Sequence, residues 1–190
     1  MKFLTKGKNA LLVLASIALL SSANVLAKDF KPIIVIHGGT SGLGLTKEEF
    51  AKREKVMKES LKAGQSILEK GGSSVDAVIA AIKVMEDSPE FNAGKGAVFT
   101  SDGFNELDAS LMDGKSLNAG AVAMARTIKN PIEAARVVMD KTPHTLIAGE
   151  GADKLAKNNG LEIVDQKYFY TDHRYKQLQD AKKKQRSIAR

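Results

Sequence analysis

The chain is read as an α/β fold in which helices cover a sheet, on three observations. A β-branched run, Ile33-Ile34-Val35-Ile36, leads into a glycine-rich turn; two capped stretches of helical periodicity follow; and strictly alternating polarity from Glu106 precedes a stretch of small apolar residues. The order is therefore strand, two helices, adjacent strands, then further helices. That is not the regular strand–helix–strand alternation of a doubly wound parallel sheet. It suits a sheet with an antiparallel meander packed against helices. No internal repeat is visible at any period.

The elements follow in order. Residues 31–37 read as a buried strand entering the turn at 38–44. Thr46 caps a helix with Glu48 and Glu49 in its first turn; Phe50, Met57, Leu61 and Leu68 form its stripe, and Gly71-Gly72 stops it. Ser73 or Ser74 caps a second helix with Val75, Val78, Ile79 and Ile82 on its core face. Residues 87–96 form a loop, 97–100 a short strand, and Asp102-Gly103 a turn. From Glu106, Leu107, Ala109 and Leu111 alternate with Asp108 and Ser110. Residues 120–126 form a strand whose small residues admit a close neighbour. Asn130-Pro131 opens a helix to about Lys141. Another helix is expected over 145–158, a short edge strand over 161–164, and a polar helix from Asp172.

Composition excludes several classes. Without Cys there is no disulfide framework, thiol nucleophile or Cys-ligated zinc. The net charge of +7 sits at the ends: residues 28–180 hold all 22 acidic residues and 21 of the 29 basic ones. A near-neutral body argues against nucleic acid as a partner. Residues 1–27 read as a secretory signal peptide, with Lys2, Lys6 and Lys8 before an apolar stretch and cleavage expected after Ala27. The body, 28–180, is then periplasmic or secreted, with no membrane association after cleavage, and 181–190 is a basic mobile tail. An uncleaved anchor is the alternative for the leader.

The turn His37-Gly38-Gly39-Thr40-Ser41-Gly42-Leu43-Gly44 permits two readings. Gly38, Gly42 and Gly44 match the glycine spacing of a dinucleotide loop, as in an oxidoreductase. The second parallel strand that such a unit needs does not follow, and no Tyr-x-x-x-Lys pair occurs. An esterase oxyanion loop would require a G-x-S-x-G elbow, which is absent. His37 is read as a satisfied structural histidine, Asp108 as structural and Asp113-Gly114 as a turn.

The most specific block is Phe91-Asn92-Ala93-Gly94-Lys95-Gly96-Ala97-Val98-Phe99-Thr100, followed by Glu106-Leu107-Asp108-Ala109-Ser110-Leu111-Met112-Asp113-Gly114. It resembles a signature of the plant-type asparaginase/isoaspartyl peptidase family of N-terminal-nucleophile (Ntn) hydrolases. Further ordered matches include Ala119-Gly120-Ala121-Val122-Ala123, Asn130-Pro131-Ile132 and Gly149-Glu150-Gly151-Ala152, so the likeness covers nearly all of 32–180. The Phe-Asn-Ala-Gly-x-Gly block favours the isoaspartyl type over the glycosylasparaginase branch. The opening turn departs from the family's pattern, in which His-Gly-Gly is followed by Ala-Gly, by having Thr40-Ser41-Gly42.

The resemblance implies an αββα four-layer sandwich, of which this chain is the α-subunit part. It implies self-cleavage of a precursor and a nucleophilic N-terminal Thr on a β subunit, in a Gly-Thr-Val-Gly context not found here; the one Gly-Thr pair is Gly39-Thr40. The implied assembly is (αβ)2, the substrates are L-asparagine and β-aspartyl dipeptides, and the α chain alone is inactive. No organic cofactor is implied. A structural sodium ion is, held by the main-chain carbonyls of Met85, Glu86, Ser88, Phe91, Ala93 and Lys95, with the Lys95 ammonium turned away. Asn92 is the supporting catalytic residue near the missing nucleophile. A non-catalytic remnant or scaffold of the same fold is the alternative.

Overall fold

The computed structural model describes residues 31–39 and 44–188, with the side chain of Ile188 left out. The signal-peptide reading, the Thr40-Ser41-Gly42 departure and the last two residues lie outside the described residues. The chain divides into Met1–Ile33 and Ile34–Arg190. Of the first unit only 31–33 are described, in no regular element and exposed. The second unit carries the mixed α/β architecture below.

Helix α1 (Lys47–Glu69) starts where expected, at a capping box. The Glu49 N–H donates to Thr46 Oγ1 at 3.1 Å, and the Thr46 N–H donates to the Glu49 carboxylate at 2.8 Å. It ends where Gly71, at φ +78°, donates its N–H to the Leu68 carbonyl. Ser73 caps α2 (Ser74–Glu86) by accepting the Asp76 N–H. The two helices pack through small residues, not through the apolar stripe expected of α1. Ser60 and Gly64 are its buried positions, while Phe50 is 61% exposed. Ser60 Oγ donates to the Ala81 carbonyl at 2.7 Å, and a Cβ on Gly64 would stand 2.9 Å from the Ala77 carbonyl oxygen. Close approach of backbones replaced interdigitation of large side chains.

The expected first strand does not form. Residues 31–39 are in no regular element, and Ile33 and Val35 are each 85% exposed. A strand needs a neighbour for its backbone groups, and none of the described residues pairs with this one.

The sheet consists of β1 (Leu107–Met112), β2 (Ala119–Ala125) and β3 (Leu146–Ala148), in that order. β1 and β2 are antiparallel, with Leu111 opposite Gly120; β2 and β3 are parallel. β3 corrects the expectation of a helix over 145–158: Ile147 pairs with Val122, and only after Gly149, at φ +58°, does helix α4 (Glu150–Asn158) begin. The register slips between Leu107 and Ala109, where Met124 takes φ +54° and its N–H donates to Asp108 Oδ1 at 2.8 Å. Asp108 is thus structural, as read. Asp113 accepts from the Lys115 and Ser116 N–H groups and the Ser116 hydroxyl, and so shapes the β1–β2 turn. The expected strand at 97–100 is reduced to one bridge, Phe99 to Asn105, and that at 161–164 to a bridge from Ile163 to Ile128.

Helix α3 (Pro131–Lys141) lies directly on the sheet. A Cβ on Gly120 would stand 2.2 Å from the Ala135 carbonyl oxygen and 2.3 Å from the Met139 nitrogen, so only glycine admits this contact. Val122, Ala125, Ile128, Val138, Ala152, Ala156 and Phe169 form the main core; Ile79, Leu111, Ile132 and Ala135 join α2 to α3 and β1. Burial of each large member contributes roughly 1.5–3 kcal/mol. The opposite face of the sheet does not realise that gain: Met112 is 59% exposed and Leu146 56%, with Ser110 and Ala148 also exposed. Helix α5 (Asp172–Ile188) continues into the basic terminal segment.

Candidate active site

The loop from α2 to β1 carries the predicted residues, and glycine makes its path possible. Gly94, at φ +48°, and Gly96 form a 3-10 turn (Gly94–Gly96). A Cβ on Gly94 would lie 2.2 Å from the Glu86 carbonyl oxygen; one on Gly96 would lie 2.1 Å from that of Phe91. The loop is closed by side chains. Asn92 Oδ1 accepts the Val98 N–H at 2.9 Å, and the fully buried Asn105 donates through Nδ2 to the carbonyls of Ala97 (2.9 Å) and Val98 (3.2 Å). Since Val98 supplies a donor, the atom facing it is the Asn92 oxygen, and the Asn92 NH2 group is left for other partners.

The six residues proposed to hold a cation lie on this loop and the end of α2. The Met85 and Ala93 carbonyls accept loop N–H groups from Ser88 (3.2 Å) and Gly96 (3.0 Å). Those of Glu86, Ser88, Phe91 and Lys95 accept no backbone hydrogen bond among the described residues outside the helices and strands. Glu86, Ser88 and Phe91 are buried. Carbonyl oxygens on a tight glycine loop are of the kind that a hard, oxygen-seeking cation takes. Among the described residues no cluster of three or more His, Asp or Glu side chains offers a metal site. The Lys95 ammonium stands 5.5 Å from the centre of the Tyr168 ring, over its face.

The Glu86 side chain has a separate role. The residue is 3% exposed, and Oε1 accepts the Ile132 N–H, 3.1 Å away, in the first turn of α3. The N-cap Asn130 makes no side-chain cap bond; its amide donates to Asp87 Oδ1 at 3.1 Å, which Tyr168 also reaches through its hydroxyl at 3.2 Å. A carboxyl from another helix therefore caps α3 and ties it to the loop. Burial pushes the Glu86 pKa up to about 8, outweighing the Ile132 and Asn130 hydrogen bonds that lower it; Asp87 and Glu133 add to the rise.

Beside Asn92 a cleft of about 540 Å³ opens between the loop, His37-Gly38-Gly39, α1, α2 and α5. Its wall includes Arg53, Glu90 and Arg174. His37 corrects its own reading: it is exposed and lines the cleft, because the strand that was to bury it is unpaired. Arg174 is held by its Nε bond to the Gly96 carbonyl at 2.7 Å. Burial, and secondarily the charge of Arg53, lowers its pKa.

Residues 30–189 match the sequence model of the family described as Asparaginase. The chain belongs to the asparaginase family. Among the relatives of this asparaginase-family chain, a Dictyostelium discoideum protein is 47% identical over 83% of this chain and 46% of its own length. The isoaspartyl peptidase/L-asparaginase of Bos taurus is 44% identical over 80% of this chain and 49% of its own length, and the isoaspartyl peptidase of Escherichia coli 42% over the same shares. The chain spans about half the length of the curated relatives it matches.

Arg53, Arg174 and the Glu86 side chain escaped the sequence reading. An arginine amid polar helical residues looks like a solvated face, so the two arginines carry no local signal. Glu86 did leave one: it falls on the helical face of Ile79 and Ile82, where a carboxyl is out of place.

Proposed function

We propose that this chain is the α portion of an isoaspartyl peptidase/L-asparaginase, exported from the cell, which hydrolyses β-aspartyl dipeptides and L-asparagine once joined to a β portion in an (αβ)2 assembly. The observation that carries this reading is the sheet covered by helices on one face while Met112 and Leu146 stay more than half exposed on the other. That is what half of an αββα sandwich presents before its second sheet docks. The exposed apolar residues Ile33 and Val35 fit the same need. Similarity to isoaspartyl peptidases supports the choice of reaction.

In this reading the N-terminal Thr of the β portion attacks the side-chain amide of asparagine or the isopeptide carbonyl. Its own α-amine, of pKa near ~8, accepts the hydroxyl proton and returns it to the leaving amine. Water then hydrolyses the aspartyl ester. Asn92 supplies its free NH2 group to the oxyanion or to the attacking water, while Val98 fixes the amide by its oxygen. The carbonyls of Met85, Glu86, Ser88, Phe91, Ala93 and Lys95 hold a sodium ion that stiffens the loop bearing Asn92. The chain contributes no nucleophile and is inactive alone.

The test is to combine this chain with its β portion and measure ammonia from L-asparagine and aspartate from β-aspartyl-leucine. Hydrolysis of both by the assembly, and of neither by this chain, is expected. A well-folded assembly that releases neither product refutes the hydrolase reading and leaves a scaffold. Asn92→Asp keeps the acceptor for Val98 but removes the NH2 donors, and is expected to lower kcat by roughly 10²–10³ with the fold intact.

A further inference from the structure

Two guanidinium groups share the cleft with Asn92, and the reaction above gives neither a task. Arg53 enters from α1 and Arg174 from α5. Arg174 is oriented before any ligand arrives: Nε donates to the Gly96 carbonyl at 2.7 Å and Nη1 to Gln177 Oε1 at 2.9 Å. Among the described residues no hydrogen bond engages its Nη2. Both arginines are half-buried, and each feels the other's charge. Of the charged groups facing them, Glu90 lines the same cleft, and Glu49 interacts with Arg53 from one turn earlier on α1. Among the described residues that line the cleft, the two guanidinium groups stand with one carboxylate, that of Glu90. Guanidinium forks in a partly desolvated cleft match a carboxylate in both charge and geometry. The cavity volume is that of a site for a ligand larger than one small amino acid.

We propose that Arg53 and Arg174 bind the C-terminal carboxylate of the leaving amino acid in β-aspartyl dipeptides, and so favour a dipeptide with a free carboxylate over its uncharged counterpart. The assignment rests on the hydrolase reading above. It places the leaving residue, whose carboxylate lies just beyond the scissile amide, in the cleft next to Asn92. L-Asparagine releases ammonia and makes no use of these arginines.

The experiment compares β-aspartyl-leucine with β-aspartyl-leucinamide on the assembled enzyme, using L-asparagine as a separate substrate. The wild type is expected to prefer the free acid by about tenfold or more in kcat/KM. Arg53→Met and Arg174→Met are each expected to erase most of that preference, chiefly through KM for the acid, and Arg53→Lys to retain part of it. Because the ratio is taken within one enzyme, a general loss of activity in Arg174→Met, which also loses its bond to Gly96, cancels. Equal handling of acid and amide by the wild type overturns the assignment without any variant, as does an unchanged ratio in both Met variants. Failure of the wild type to hydrolyse asparagine or dipeptide refutes the underlying hydrolase reading, whereas hydrolysis without discrimination refutes the arginine assignment alone.

Discussion

Replacing Glu86 with glutamine removes a titration from the interior at little steric cost. In the folded chain the carboxyl keeps its proton up to about pH 8, whereas the ordinary value is 4.5. Between those limits the folded state binds more protons than the unfolded one, so this group's contribution to stability falls as pH rises. The slope is at most about 1.4 kcal/mol per pH unit. From pH 5 to 7 the wild type should therefore lose roughly 2–3 kcal/mol relative to Glu86→Gln, and the variant should be the more stable protein at pH 8. The glutamine oxygen still accepts the Ile132 N–H, so at pH 5 the two should lie within about 1 kcal/mol. The assay is urea unfolding followed by far-UV circular dichroism at pH 5, 6, 7 and 8, in sodium-free buffer because the Glu86 carbonyl is a proposed ion ligand. Other titrating groups are common to both proteins and cancel in the difference. A difference that stays flat from pH 5 to 8 would refute the reasoning, since it would mean that the buried carboxyl ionises as it does in the open chain.

Gly120→Val should cost more than the ~1–3 kcal/mol of ordinary overpacking, because the added carbon meets α3 backbone that cannot rotate away; thermal melts would show it. Ser60→Ala removes the bond to the Ala81 carbonyl between α1 and α2, and a loss of about 1–3 kcal/mol in denaturant unfolding is expected. Asn105→Ala leaves the Ala97 and Val98 carbonyls without their donor; faster amide exchange across the 91–98 loop, with a drop of about 1–3 kcal/mol, should follow. Sodium, added to the assembled enzyme stripped of it, is expected to raise the melting temperature more than lithium does, and equal effects of the two ions would count against the carbonyl site.

Where a feature was local, it could be read from the residues. Thr46 with Glu49, and Ser73, mark helix starts because their capping needs only neighbours in the chain; Pro131 marks a third by its position in the first turn, although the carboxyl that caps that helix comes from Glu86. The sheet pattern at Leu107, Ala109 and Leu111 was equally legible, since alternation is a property of one strand. Misreadings came where a distant partner decides the outcome. Leu146, Ile147 and Ala148 joined β2 although the stretch reads as helix, since pairing with Ala121, Val122 and Ala123 outweighs local preference. The run at 33–36 has every mark of a strand but lacks an edge to join among the described residues.

By itself, then, the amino-acid order determined the family, the α/β class, the helix starts and the glycine loop that bears Asn92, all of which depend on residues close together in the chain. Tertiary structure alone decided that Glu86 caps a helix 46 positions away. It also turned His37 into the cleft, and brought Arg53 and Arg174 together there from the first and last helices of the described residues. Those outcomes depend on which surfaces exclude water from one another, and desolvation belongs to the packed molecule, not to any stretch of sequence.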